Sequence, residues 1–380
     1  MTSDPRGRPV IPPIIQSVNF AFESCDALEA ASRAGDRDHF YTRLGNPGTA
    51  RAERRIADLE GFEDALLFAS GMGAIAGTAL GLMQRGDRVV VDSRIYGGAA
   101  SFFRHFAPRM GVELVTCDSE AALLEALPGA RFIYCESPTN PLMEILDLAR
   151  IAEAARAAGA ISIFDGTLAT PIAQRPGELG FDLVVHSATK AMNGHHDVLA
   201  GVVTGRKELI DPLVGVRLML GATLDPHASF LLLRGLETLE LRVKAQHAAA
   251  LELATRLAAR RDRRGDLVRV LYPGLPDHPR HELARRQMTS FGSVITLELE
   301  GGVARSRAIA DALQHFAIAG SLCGTDSLVA LPRLSTHMGW SDDELAAVGL
   351  AGPILRLSIG LEPVSELFAD LTRALDENPA

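Results

Sequence analysis

Short, mostly apolar segments recur from about residue 64 onward, most of them closed by a polar residue: ALLFA, DRVVVD, VELVTC, RFIYCES, ISIFD and DLVVHS. Such short continuous runs predict strands buried on both faces, and the amphipathic segments between them, RAERRIADLEGFED and DLARIAEAARAAG, carry the helical period. Strand and helix in alternation predict an α/β fold with a mostly parallel sheet covered on both sides. A sheet of this kind places ligands at the carboxyl ends of its strands.

The segment FLLLRGLETLELRVKAQHAAALELATRLAARR predicts one long helical stretch bridging to a smaller C-terminal α/β unit. At the other end, residues 1 to about 50 hold Pro5, Pro9, Pro12, Pro13 and Pro47 without sustained periodicity, which predicts an extended arm. The expected division is therefore an arm at 1–50, a first domain at 51–240 and a C-terminal domain at 241–380. A length of 380 residues agrees with more than one core, since domains run to roughly 100–200 residues.

Composition narrows the function classes. Apolar residues at 47% and charged residues at 22% describe an ordinary soluble globular chain. The net charge of −9 argues against nucleic-acid or anionic-membrane surfaces. No apolar run approaches the roughly 20 residues needed to span a bilayer, and MTSDPRGRPV has no signal-peptide core, so a cytoplasmic location is expected. Cys25, Cys117, Cys135 and Cys323 lack metal or disulfide spacing, and no metal site is expected. Only three lysines occur, Lys190, Lys207 and Lys244, so a lysine required by chemistry must be one of them.

Two of the strand ends carry candidate chemistry. Asp165 closes ISIFD and Lys190 follows DLVVHS within HSATKAMNGHHD, a separation of 25 residues that matches one crossover between neighbouring strands. An aspartate that keeps a pyridine nitrogen protonated, with a lysine amine that condenses with an aldehyde, makes an electron sink. The turn Ser70-Gly71-Met72-Gly73 opens a helix after a strand, where free N–H groups form an anion site. Ser187 and Thr189 offer hydroxyls to the same anion. The rival reading of that turn is a dinucleotide fingerprint, Gly71-x-Gly73-x-x-Ala76 with Asp92 about twenty residues on. It leaves Asp165 and Lys190 without a role, as does an inactive scaffold.

In order along the chain, YTRLGNP, SGMGAI, IYGG, ESPTNP, FDGTLATP, HSATKAMNGHHD, FLLLRGLETLELR and RLSIGLE resemble the Cys/Met-metabolism (trans-sulfuration) family of pyridoxal-phosphate enzymes, from about Tyr41 to the C-terminus. The resemblance implies the aspartate-aminotransferase-like fold, fold type I, with pyridoxal 5′-phosphate as cofactor. It makes Lys190 the Schiff-base lysine and proton shuttle, Asp165 the partner of the ring nitrogen, and Tyr96 the residue stacked on the ring. It also implies that Ser70, Gly71, Met72, Ser187 and Thr189 cradle the phosphate, that Asn140 lies near the ring hydroxyl, and that Ser321 with Arg356 clamps the substrate's α-carboxylate. Tyr41 and Arg43 would reach the phosphate of a neighbouring subunit in a homotetramer built from two dimers.

The chain departs from the family pattern at Gly166, Leu168, Ala191, His196 and Cys323, which leaves the substrate pocket open; His196 reads equally as surface loop or substrate contact. Gly98 stands where methionine γ-lyases commonly have cysteine, and Asp326 where cystathionine-handling members commonly have glutamate. The expectation is γ-elimination or γ-replacement on a sulfur-containing or O-acylated amino acid. Within that range a cystathionine γ-lyase or γ-synthase type is favoured, with methionine γ-lyase or O-acylhomoserine sulfhydrylase as alternatives.

Overall fold

A computed structural model describes residues 9–34 and 38–380. The first sheet contains β1 (Asp64–Phe68), β2 (Arg88–Asp92), β3 (Glu113–Cys117), β4 (Ala130–Glu136), β5 (Ile161–Asp165), β6 (Leu183–His186) and β7 (Gly201–Gly205). Their spatial order is β1-β7-β6-β5-β4-β2-β3. The pairs from β6 across to β3 are all parallel, whereas β7 runs antiparallel to both β1 and β6. The sheet is thus mostly parallel, as the alternation predicts, with β7 as the exception.

Helices cover both faces, which explains why most strand residues are apolar rather than strictly alternating with polar ones. On one face Phe68, Val89, Val91 and Tyr134 pack with residues of helices Gly71–Leu82, Gly97–Phe106 and Lys207–Leu220. On the other, Val90, Ile133 and Phe164 pack against helices Glu120–Ala126 and Leu148–Ala157.

A second sheet holds β8 (Leu267–Leu271), β9 (Val294–Leu299), β10 (Ala317–Ile318), β11 (Leu328–Ala330) and β12 (Ile354–Ser358), in the order β10-β11-β12-β9-β8. The long stretch expected before it is two helices, Pro226–Glu237 and Leu239–Arg264, parted at Thr238. Buried residues of the second helix, from Ala250 to Leu257, form one core with Ile295, Leu297, Leu355 and Leu357.

The arm is less uniform than the proline count suggests, because Cys25–Ala34 forms a helix. CDALEAASRA consists largely of good helix formers, and no proline interrupts it. Around it the arm is pinned to its own chain by a bridge between Asn19 and Tyr41 and by Asn46, whose side-chain amide donates to Ile15 O at 2.9 Å. Val10 is fully exposed, and Ile11, Ile14 and Val18 are exposed as well. No helix among the described residues is long and apolar enough to cross a membrane.

Candidate active site

The parallel strands end on one edge, and there the chain leaves a cavity of about 430 Å³ lined by Ser70, Gly71, Met72, Tyr96, Asn140, Asp165, Ser187, Thr189, Lys190 and Arg356. Ten of the residues singled out in the sequence therefore meet in one place. They arrive from β1, β2, β4, β5, β6 and β12 or the turns after them, which is how a doubly covered sheet gathers distant residues.

The glycine turn is built for close approach. Ser70 caps helix Gly71–Leu82, its hydroxyl accepting the N–H of Gly73 at 3.0 Å. A Cβ at Gly71 would lie 2.8 Å from the Ser187 side chain, so glycine lets the helix start sit against Ser187. Gly201 of β7 has the same kind of reason: a Cβ there would meet Ser70 O at 2.1 Å. The first-turn N–H groups of a helix have no intrahelical acceptor and attract anions. Thr189 lines the cavity, but its hydroxyl donates to Ala200 O and accepts the Ala200 N–H.

Asp165 is buried at the end of β5 and its carboxylate is held from two sides. Oδ1 accepts from Thr167 N at 3.1 Å and Thr167 Oγ1 at 2.5 Å, and Oδ2 accepts from the Tyr134 hydroxyl at 2.9 Å. Beside it, at the matching position of β4, stands Glu136. Its Oε2 accepts the N–H of Tyr96 at 2.7 Å and so fixes the start of helix Gly97–Phe106. Burial, then the neighbouring Asp165 charge, push the Glu136 carboxyl well above the usual range.

Lys190 donates from Nζ to Ser321 Oγ at 2.9 Å. Burial lowers its pKa from the ordinary lysine value, with the nearby Arg356 charge adding to the effect. A lysine so placed gives up its proton more readily, so more of it is present as the free amine that acts as nucleophile or base. Arg356, fully buried on β12, donates to Asn140 Oδ1 at 3.1 Å and to Ser321 O at 3.0 Å. Burial pushes its pKa down to about 10. Its Nε is buried without a hydrogen-bond partner. A buried guanidinium lacking a carboxylate partner is costly, and an incoming carboxylate relieves that cost with two charge-assisted bonds.

These features fit pyridoxal phosphate: a helix start and a hydroxyl for the phosphate, a carboxylate for the ring nitrogen and a buried lysine for the aldehyde. They decide nothing about kinship by themselves, but the chain also matches the model of the Cys/Met metabolism PLP-dependent enzymes over residues 1–376. This protein belongs to that family.

Among the relatives, L-methionine gamma-lyase of Pseudomonas putida is 41% identical over 374 residues, spanning 97% of this chain and 93% of that protein. Cystathionine beta-lyase of Coxiella burnetii is 40% identical over 341 residues, 88% of this chain and 87% of that one. Among solved structures, cystathionine gamma synthase from Xanthomonas oryzae pv. oryzae superposes with a TM-score of 0.90 at 38% identity, covering 97% of this chain and 93% of the other. Pyridoxal 5′-phosphate is accordingly the cofactor, and this member of the family is an enzyme of carbon–sulfur cleavage or γ-substitution in amino-acid metabolism.

Not every expected residue joins the cavity of its own chain. Tyr41 and Arg43 line a separate hollow with Gln16, Thr223 and Asp225. Asp326 is exposed, hydrogen-bonded to the Thr325 hydroxyl, and does not line the cavity. His196 is exposed too, its ring lying against Gly324.

Three departures from the family pattern have local causes. A Cβ at Gly166 would lie 2.5 Å from the His186 ring, which is itself bound to Glu60 at 2.6 Å. Cys323 has φ of 58°, the left-handed region that glycine adopts without strain. Leu168 adds an apolar patch to the cavity wall. Gly98 is likewise steric, because a Cβ there would meet the Tyr96 ring at 2.5 Å. Sequence reasoning passed over Glu136, Thr167, Leu199 and Thr336, all of which line the cavity.

Proposed function

We propose that this enzyme carries out γ-elimination on a sulfur amino acid with an uncharged Cγ substituent, methionine being the simplest. The observation that supports it is the distribution of charge in the cavity. Arg356 offers one anchor for one α-carboxylate, and Met72, Ile75, Leu168, Leu199 and Leu322 form an apolar portion of the wall beside Ser335, Thr336 and the carboxyl of Glu136. A second amino-acid head, as in cystathionine, finds no arginine there besides Arg356, and Asp326, a carboxylate that could meet its ammonium, does not line the cavity. Because Gly98 answers to the Tyr96 ring, it carries little weight against a methionine substrate.

The residues divide the work as follows. Lys190 takes the α-proton and later moves the β-proton; Ser321 Oγ, 2.9 Å away, holds its amine on that side of the cavity. Asp165 would pair with the ring nitrogen, while Gly71, Met72, Ser70 and Ser187 would hold the phosphate, with Thr189 shaping that wall. Asn140 would meet the ring hydroxyl, Tyr96 would stack on the ring and assist at the leaving sulfur, and Arg356 with Ser321 would clamp the carboxylate. When bound, the cofactor supplies the electron sink that makes these proton transfers feasible.

The second reading is the cystathionine γ-lyase or γ-synthase type expected from the sequence, favoured by the 0.90 TM-score to a cystathionine gamma synthase. Turnover of methionine, cystathionine, homocysteine, cysteine and O-acylhomoserines, followed by 2-oxo acid and thioether products, separates the two. Methionine is expected to exceed cystathionine in kcat/KM by about tenfold or more, the size of a pocket mismatch. The reverse order selects the second reading.

This reading takes the arm at 1–50 as a segment for a neighbouring subunit, 51–240 as the cofactor-binding domain and 241–380 as the domain bearing the carboxylate clamp. It places a homotetramer, a dimer of dimers, in the cytoplasm. The exposed Val10, Ile11, Ile14 and Val18 and the separation of Tyr41 and Arg43 from their own chain's cavity support a shared site. Mixing Arg43→Ala with Lys190→Ala protein, each nearly inactive, is expected to restore about a quarter to a half of wild-type activity, because two-fold assembly leaves one intact site per mixed dimer. Mixed dimers, verified by mass, that recover nothing would show that the arm serves its own subunit.

A further inference from the structure

Among the polar side chains that touch the residues already assigned, Tyr134 is one without a role. It lies on β4, two positions before Glu136, and is 1% exposed. Its ring packs against Phe103 at 5.3 Å between centroids, and Phe103 belongs to the helix that Tyr96 begins. The hydroxyl is the only polar atom of the side chain, and it points at Asp165 Oδ2, 2.9 Å away. A buried tyrosine in an apolar strand needs such a partner. Phenylalanine would have served for packing alone, as Phe132 does two residues earlier.

We infer that Tyr134 is a positioning residue that locks the plane of the Asp165 carboxylate and aims its free edge at the ring nitrogen. A carboxylate offers about four lone-pair directions. Thr167 takes two through its N–H and hydroxyl, and Tyr134 takes a third. What remains faces the cavity that Asp165 lines. Both Thr167 bonds fall on Oδ1, so the phenol supplies the donor to Oδ2; packed against Phe103, it holds the second edge of the carboxylate and resists tilting of its plane. Burial and the nearby Asp165 charge keep the phenol protonated, so it acts as a neutral donor throughout.

This inference rests on Asp165 being the partner of the ring nitrogen, and the test separates the two. The variants are Tyr134→Phe, Asp165→Asn and the double variant, each as holoenzyme. Exchange of the amino acid's α-proton with deuterated water is read by NMR, and the visible circular dichroism of the bound cofactor reports its fixation. Tyr134→Phe is expected to slow exchange about tenfold, the scale of one lost hydrogen bond, and to weaken the dichroism, with KM little changed. In the Asp165→Asn background the same change is expected to have almost no further effect, because coupled residues are not additive. An equal loss in both backgrounds would overturn the inference, since Tyr134 would then act through packing. Wild-type exchange in Asp165→Asn would instead overturn the reading of Asp165. Should Tyr134→Phe not fold, 3-fluorotyrosine at 134 keeps the shape and alters the acidity of the hydroxyl. The inference then requires a shifted dichroism spectrum at an unchanged thermal midpoint, and an unaltered spectrum would refute it.

Discussion

Lys190→Ala is expected to abolish turnover while the chain stays folded, with a loss of at least about 10³-fold, because nucleophile and proton shuttle are removed together. Among the described residues the lysine side chain is hydrogen-bonded to Ser321, and its backbone bonds to Ser187 and Gly194 survive the substitution. Lys190→Arg should fail as well, since a guanidinium stays protonated and does not condense with an aldehyde. Two measurements check this: steady-state release of 2-oxo acid, and mass analysis after borohydride treatment, which fixes the cofactor to wild-type chain but should leave the variant unlabelled. A variant with wild-type rate would dismiss Lys190 as the active lysine, and only Lys207 and Lys244 would remain. Both are exposed and paired, Lys207 with Asp211 at 2.7 Å and Lys244 with Glu240 at 2.6 Å.

For Asp165→Asn the expected result is a protein that still binds cofactor but removes the α-proton about 10²- to 10³-fold more slowly, the scale for losing one preorganised charge contact. The amide is isosteric and keeps a partner for Thr167, so the fold should persist. What it lacks is the negative charge that favours a protonated ring nitrogen. Single-turnover loss of α-deuterium from labelled methionine measures the step directly, and KM should change far less than kcat. Full activity would reduce Asp165 to a strand-end cap for the turn that holds Thr167.

Lys190 and Asp165 were legible because their context is unusual: a lysine in a chain almost free of lysine, and a carboxylate ending an apolar strand one crossover away. The glycine turn was legible because only a helix start after a strand combines small residues in that way. Glu136 was less visible, although RFIYCE ends in a carboxylate just as ISIFD does; the segment was read as a strand without its last residue being singled out as a neighbour of Asp165. Parallel pairing, which sets Glu136 opposite Asp165, is a long-range fact that no local pattern carries.

The strand β7 escaped for a different reason. GVVTG is five residues bounded by glycines, and only its fit between β1 and β6 identifies it. The break at Thr238 is similarly quiet, because the apolar period continues across it. For Tyr41 and Arg43 the expectation of a neighbouring subunit's phosphate came from the resemblance, and the single chain shows only that they line a hollow apart from its own cavity.

Arg356 gives the site a mechanical character. It stands on the second sheet yet donates to Asn140, beyond the end of β4 in the first, and to Ser321, whose hydroxyl receives Lys190. The seam between the two halves of the chain thus passes through the substrate pocket, with one guanidinium nitrogen still lacking a partner. On the proposed reading of Arg356, an amino acid that docks its carboxylate there would become the last rivet in the seam. By mass action the halves would then be held together more firmly when substrate is plentiful than when it is scarce, and the enzyme's rigidity would follow its food supply.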